Sequence, residues 1–144
     1  MRKPIKTPRR VGKRSNLILQ YIRQEKRSTI IKKLDTIFSK IIKKKYQGKC
    51  VKCGRAGQGV SHYYSRKHLG TRWEESNCIW VCWACHFHHL EHFKQPGEWY
   101  HSYMIKTLGE DGFETLKIKA LGITKWSTSD LKILLMHYER EYHL

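Results

Sequence analysis

The sequence predicts an α+β fold, mostly helical, with a small metal-braced core between a basic N-terminal helix and C-terminal helices. Three observations carry that expectation. Leu34, Ile37, Phe38, Ile41 and Ile42 recur at i, i+3, i+4, i+7 and i+8, the apolar stripe of an amphipathic helix. Two Cys-x-x-Cys pairs, Cys50/Cys53 and Cys82/Cys85, bracket a stretch rich in Gly and aromatic residues. Beyond Pro96-Gly97 the apolar residues return to helical spacing between glycine breaks.

Four segments follow in order. Residues 1–14 read as a basic arm, with Pro4, Pro8 and Gly12 among the cations, that orders on a phosphate backbone. Residues 15–47 read as a basic amphipathic helical region for DNA binding or dimerisation. Ile30 and Ile31 extend its stripe backward, and Leu17, Ile18, Tyr21 and Ile22 supply an earlier piece. Lys32, Lys33, Lys40, Lys43 and Lys44 lie off the stripe, so one face can pack while the other meets phosphates. Gln47-Gly48-Lys49 closes the helix.

Residues 48–95 form the core, with strands or loops over 60–64 and 78–82. A helix begins near Cys82–Cys85 and carries the His-rich segment toward Phe93. Residues 96–144 read as three short helices. The first, around Trp99, Tyr103 and Leu108, is closed by Gly109. The second, with Phe113, Leu116 and Ile118 to Leu121, is closed by Gly122. The third opens on Ser127-x-x-Asp130, a capping box with Asp in place of Glu, and carries Leu131, Leu134, Leu135 and Tyr138.

The 144-residue chain has a formal charge of +17. Of its 29 Lys and Arg, 17 lie in residues 1–49 against Glu25 and Asp35 alone, so that third carries +15 (17 minus 2). Such asymmetry calls for a polyanion, and each phosphate neutralised releases condensed counterions. Nucleic acid is the partner this predicts, with Arg9, Arg10, Lys13, Arg14, Lys40, Lys43 and Lys44 as candidate contacts. No apolar run approaches the ~20 residues of a membrane span, and the N-terminus opens on basic rather than apolar residues. A cytoplasmic chain with no membrane partner is expected.

Five cysteines in such a chain suggest metal ligation over a disulfide framework. Cys50/Cys53 and Cys82/Cys85 can each place two thiolates on one turn, and together complete a tetrahedral site for zinc. A closed four-thiolate site has no open position, so its expected role is structural. Cys78 is expected to be a buried thiol outside it.

Between the knuckles lie His62 and Asn77, and His86 directly follows the second. The spacing His62-x14-Asn77-x8-His86 resembles the HNH motif of the ββα-metal nucleases, in the subclass tied by two Cys-x-x-Cys knuckles. That resemblance implies His62 as general base and Asn77 as a residue that orients the site or completes the metal shell. It implies His86 as a ligand of a catalytic Mg²⁺ or Mn²⁺, distinct from the structural zinc. Many of those enzymes place Asp or His just before the base, where this chain has Ser61, a poorer ligand. His88, His89 and His92 are candidate substitutes, His89 foremost, because i, i+3 or i+4 spacing on a helix puts His92 on the face of either other. Arg66, Lys67 and Arg72 flank the centre as candidate phosphate clamps. Tyr63 and Tyr64 are expected to pack.

The words around the triad are narrower. Ser61-His62-Tyr63-Tyr64-Ser65-Arg66, Thr71-Arg72-Trp73-Glu74-Glu75-Ser76-Asn77-Cys78 and Cys82-Trp83-Ala84-Cys85 are similar to the NinG (Rap) recombination endonucleases of lambdoid phages. So is the tail from Trp99 to Leu116. The match spans about residues 48–140. The chain differs in its basic helical arm and in having His86 where those sequences tend to have Asn. The resemblance implies a structure-selective DNA endonuclease acting on branched intermediates such as Holliday junctions and D-loops, in a host-cell cytoplasm if phage-encoded. A homodimer would suit paired nicks. The alternatives are a non-catalytic zinc-knuckle DNA-binding protein and a sequence-specific homing or restriction-type HNH nuclease.

Overall fold

The computed structural model describes residues 25–87, 91–92 and 95–143. The basic arm with Arg9, Arg10, Lys13 and Arg14, and the helical piece at Leu17 to Ile22, lie outside the described residues.

The first described helix, α1 (Arg27–Lys45), buries Ile30, Leu34, Phe38, Ile41 and Ile42 and leaves Lys32, Lys33, Lys40, Lys43 and Lys44 exposed. Its end follows from the backbone. Gln47 (φ 53°) and Gly48 (φ 71°) turn left-handed. Gly48 N–H then donates to the Lys43 carbonyl at 2.9 Å and Gln47 N–H to that of Lys44 at 3.1 Å, the two bonds of a Schellman closure.

Strands β1 (Gly59–His62) and β2 (Cys78–Val81) pair antiparallel, with Val60 opposite Trp80, Ser61 opposite Ile79 and His62 opposite Cys78. All four β2 residues are buried, because the hairpin is covered on both faces. Strand alternation sorts them. Cys78 and Trp80 enter one core with the α1 stripe and with Leu131, Leu135 and Tyr138 of the last helix. Ile79 and Val81 enter a second core with Cys50, Cys82, Cys85, Tyr100, Met104, Phe113 and Leu116. Tyr63 and Tyr64 pack against that second core as expected. The Tyr63 ring meets Tyr64, Tyr100 and Phe113 edge-on at 5.0–5.3 Å between centroids.

The helix expected from Cys82 toward Phe93 does not form at that length. Helix α2 (Trp83–Cys85) is one turn, with Cys82 Sγ capping Cys85 N–H at 3.4 Å. The chain is extended again at β3 (Glu91–His92), which pairs antiparallel with β4 (Gln95–Pro96). His92 therefore sits on a strand, and the helical face proposed for it with His88 or His89 is withdrawn; those two residues lie outside the described set.

The C-terminal reading stands with one refinement. Helix α3 (Glu98–Leu121) is two helical runs joined end to end at Gly109, whose φ of 73° and ψ of 166° are not helical, and it is capped by Gly122. Helix α4 (Thr128–His143) opens on the expected box. Asp130 N–H donates to Ser127 Oγ and Ser127 N–H to Asp130 Oδ2, each at 3.0 Å. No helix among the described residues is long and apolar enough to cross a membrane.

Candidate metal centre and adjoining cleft

The first knuckle is shaped by backbone bonds. Cys50 N–H donates to the Arg55 carbonyl at 2.7 Å, and Gly54 N–H, at φ 74°, to that of Cys50 at 2.8 Å. Val51 N–H reaches the Trp80 carbonyl at 3.0 Å, which ties this loop to β2 and so to the second knuckle, which follows β2. The outcome is that the Sγ atoms of Cys50, Cys53, Cys82 and Cys85 all lie within 4.8 Å of one another. Four thiolates at about 2.3 Å from a tetrahedral zinc would stand about 3.8 Å apart; Cys53 and Cys82 are at 3.7 Å. These cysteines are close enough to hold a metal ion, and the donor set is consistent with structural zinc. Hydrogen bonds from backbone and side chain of Arg55 bring the Cys53 thiol down to about 6. Burial and the neighbouring sulfurs push Cys85 up to about 12. Thiols this crowded cannot all ionise unaided, and a divalent cation resolves that conflict. Cys78 is 2% exposed and outside the cluster, its thiol pushed well up by burial, as expected.

On the other face of the hairpin a cleft of about 740 Å³ opens against α1. His62 and His86 both line it, together with Asp35 and Lys40 of α1, Arg66 and Trp83. His62 Nε2 lies 3.0 Å from the Arg72 carbonyl. A carbonyl only accepts, so Nε2 carries the proton and Nδ1 bears the lone pair. Burial first, then the Arg66 and Arg72 charges, bring the imidazole down to about 4. The ring is neutral at pH 7 and able to accept a proton.

Asn77 is 0% exposed and wholly engaged. Its Oδ1 accepts from Tyr64 N–H at 2.8 Å, while Nδ2 donates to the carbonyls of Tyr64 (2.9 Å) and Thr71 (3.1 Å). Of the two roles expected, this geometry serves the orienting one. The amide clamps the chain that follows His62 to the segment that carries Arg72. As a metal ligand it is misplaced, because its oxygen is buried and bonded. Ser61 is 1% exposed, and alternation turns it to the second core, opposite Ile79 and away from the cleft. Its Oγ has no hydrogen-bond partner among the described residues.

Arg72 has intramolecular partners as well. Its guanidinium grips Asp35 with both forks (Nε to Oδ1 at 3.1 Å, Nη2 to Oδ2 at 2.7 Å) and donates to the Arg66 carbonyl at 3.3 Å. Its guanidinium is thus bonded to partners within the protein, which fixes the Arg72 segment against α1. Arg66 and Lys67 are exposed as expected, and Lys40 reaches the cleft wall. Lys44 and Lys40 hold their ammonium groups 6.0 and 5.7 Å from the Tyr142 ring, and Lys43 stands 6.0 Å from that of Trp80.

Asp35 is the residue that sequence reasoning passed over. It is the one carboxylate lining the cleft among the described residues, and it also accepts from Trp73 Nε1 at 2.9 Å. A single acid within a basic helix was the available signal. With Asn77 buried, Ser61 turned away and Asp35 engaged, the described side chains around His86 do not make a shell for Mg²⁺, which wants several oxygen ligands. The four cysteines are the only such metal-ligating group among the described residues. No family model matches the chain, and no curated protein or solved structure matches it.

Proposed function

We propose that the chain is a DNA endonuclease of the HNH type, with His62 as general base, acting on branched recombination intermediates. The observation that carries this reading is the convergence of His62 and His86 on one cleft beside a four-thiolate centre. The basic helix α1 walls that cleft, which suits a polyanionic substrate.

In this reading water attacks the phosphorus in line with the departing sugar oxygen. Its proton passes to His62 Nδ1, the P–O3′ bond breaks, the departing 3′ oxygen takes a proton from solvent water, and the products are a 5′-phosphate and a 3′-hydroxyl. The Arg72 carbonyl holds the ring in the required tautomer, and Asn77 holds the segment that supplies that carbonyl. Arg66 and Lys40 offer charge to the flanking phosphates. A divalent ion at such a site would supply Lewis-acid stabilisation of the developing charge, and no step above depends on side chains holding one.

The test is incubation of zinc-loaded protein with supercoiled plasmid, linear duplex and a four-way junction, with Mg²⁺ and Mn²⁺ in separate arms. Wild type should cut the junction in preference, and His62→Ala should lose about 10²-fold or more of that rate. Cleavage at one defined site of the linear duplex, without branch preference, points instead to a restriction-type enzyme. The sparse ligand set around His86 favours a second reading, a zinc-knuckle DNA-binding protein without catalysis. Tight binding with every DNA left intact by wild type and variant alike decides for that one.

A further inference from the structure

The cleft wall carries an apolar feature that base-independent chemistry at a phosphate leaves unused. Trp83 lines the cleft and is 49% exposed, and Phe87 beside it is 66% exposed. Their rings stand 6.0 Å apart at 33°, with the His86 imidazole edge-on to both. The ledge is built rather than incidental. Trp83 N–H donates to Gln58 Oε1 at 3.0 Å. Its indole lies so close over Gly59 that a Cβ there would come within 2.9 Å of the ring. A neighbouring glycine makes the contrast plain: Gly57 admits the Trp80 indole, which is 5% exposed and belongs to the core. The chain thus spends one glycine on burying a tryptophan and another on seating one in the open. The charge around the ledge is positive: Lys40 and Arg66 line the same cleft, and its carboxylate, Asp35, is already paired with Arg72.

Exposed aromatic faces within a basic groove bind the bases of unpaired nucleotides, while cations follow the backbone. Bases stacked inside a duplex present no free face to such a ledge. We propose that Trp83, with Phe87, is a stacking platform for one unpaired nucleobase, so that the cleft selects DNA splayed or single-stranded next to the phosphate held at His62 and His86. The position of that phosphate rests on the nuclease reading above; the stacking itself does not. Branch selectivity then originates in an aromatic surface, because positive charge alone cannot tell a fork from a duplex.

The experiment measures binding of labelled single-stranded oligonucleotide, four-way junction and perfect duplex to full-length, zinc-loaded protein without added divalent cation. Trp83→Ala should reduce the preference for single-stranded over duplex DNA by roughly five-fold or more, the scale of one lost stack. Trp83→Phe should retain most of that preference, and Trp83→Leu should not. Phe87→Ala, at an exposed ring that rests on no glycine, is the second variant should Trp83→Ala lose zinc or fold. An equal loss on single-stranded, branched and duplex DNA overturns the proposal, as does no loss on any. So does full retention by Trp83→Leu, which would assign the ledge to nonspecific apolar contact. The two readings fail separately. Stacking with no cleavage of any DNA removes the nuclease and keeps the platform, whereas His62-dependent cleavage indifferent to Trp83 and Phe87 does the reverse.

Discussion

At one face of the β1–β2 hairpin, four sulfurs from two short loops meet within 4.8 Å. At the other, the cleft gathers Asp35 and Lys40 from α1, His62 from β1, Arg66 from the loop after it and His86 from the turn after β2. The four knuckle sulfurs lie close enough together for one cation to be held by all of them at once. The polar groups in and behind the cleft wall are mostly spoken for: Asp35 by Arg72 and Trp73, and behind it Asn77 by three backbone groups and Arg72 by a carboxylate and a carbonyl. Beside them the cleft presents the His62 imidazole, the exposed cations of Lys40 and Arg66 and an aromatic ledge. The lesson is that ligand-type residues near a site divide into those that do chemistry and those that hold the chemistry in place. Residue type alone does not separate them.

That contrast can be broken most severely at the knuckles. Cys82→Ser, or treatment with a strong chelator, should abolish zinc content and lower Tm by more than about 10 °C, since a metal held at a four-thiolate site would contribute folding energy. Elemental analysis with thermal denaturation checks it; unchanged melting after verified metal loss would refute the structural site.

Asn77→Ala should cost about 2–4 kcal/mol, because three hydrogen bonds are lost in a position of 0% exposure and their partners are left unpaired. Denaturant unfolding measures it. A cost below 1 kcal/mol would mean that the clamp is not what holds the loop.

The pH dependence comes next. Folding lowers the His62 pKa from 6.5 to about 4, so between those values the unfolded chain binds the extra proton. Stability from this group is complete above pH 6.5 and is lost as pH falls toward 4, by up to about 3 kcal/mol (6.5 minus 4, at 1.36 kcal/mol per unit). His62→Gln should flatten the stability profile in that window. Cleavage that depends on neutral His62 should persist to pH 5, well below the midpoint of an ordinary histidine. The smallest effect belongs to the α4 cap, remote from both sites: Ser127→Ala should cost about 1 kcal/mol and leave zinc content and DNA binding unchanged.

Much of this molecule could be read without coordinates where the governing rule is local. The α1 stripe, the closure at Gln47 and Gly48, the Ser127/Asp130 box and the glycine breaks at 109 and 122 each follow from a few adjacent residues. The cysteine pairs were legible for the same reason, since each knuckle is one turn and two complete a shell. Length of the second-knuckle helix was not, since the chain is back in a strand by Glu91 and pairs there with Gln95–Pro96. Nor was the fate of Arg72, whose carboxylate partner lies 37 positions away.

By itself the sequence determined the α1 stripe and its end, the C-terminal helical runs, the basic surface of α1 and the four sulfurs that could hold a metal ion. Each of these depends on spacing, charge count or backbone freedom within a short window. Tertiary structure alone decided which side of β1 meets the cleft, sending Ser61 into one core and His62 toward α1, and which polar side chains were absorbed as clamps. That is a matter of which groups the folded chain brings within bonding distance, and a bond already made in the interior removes its atoms from any other role.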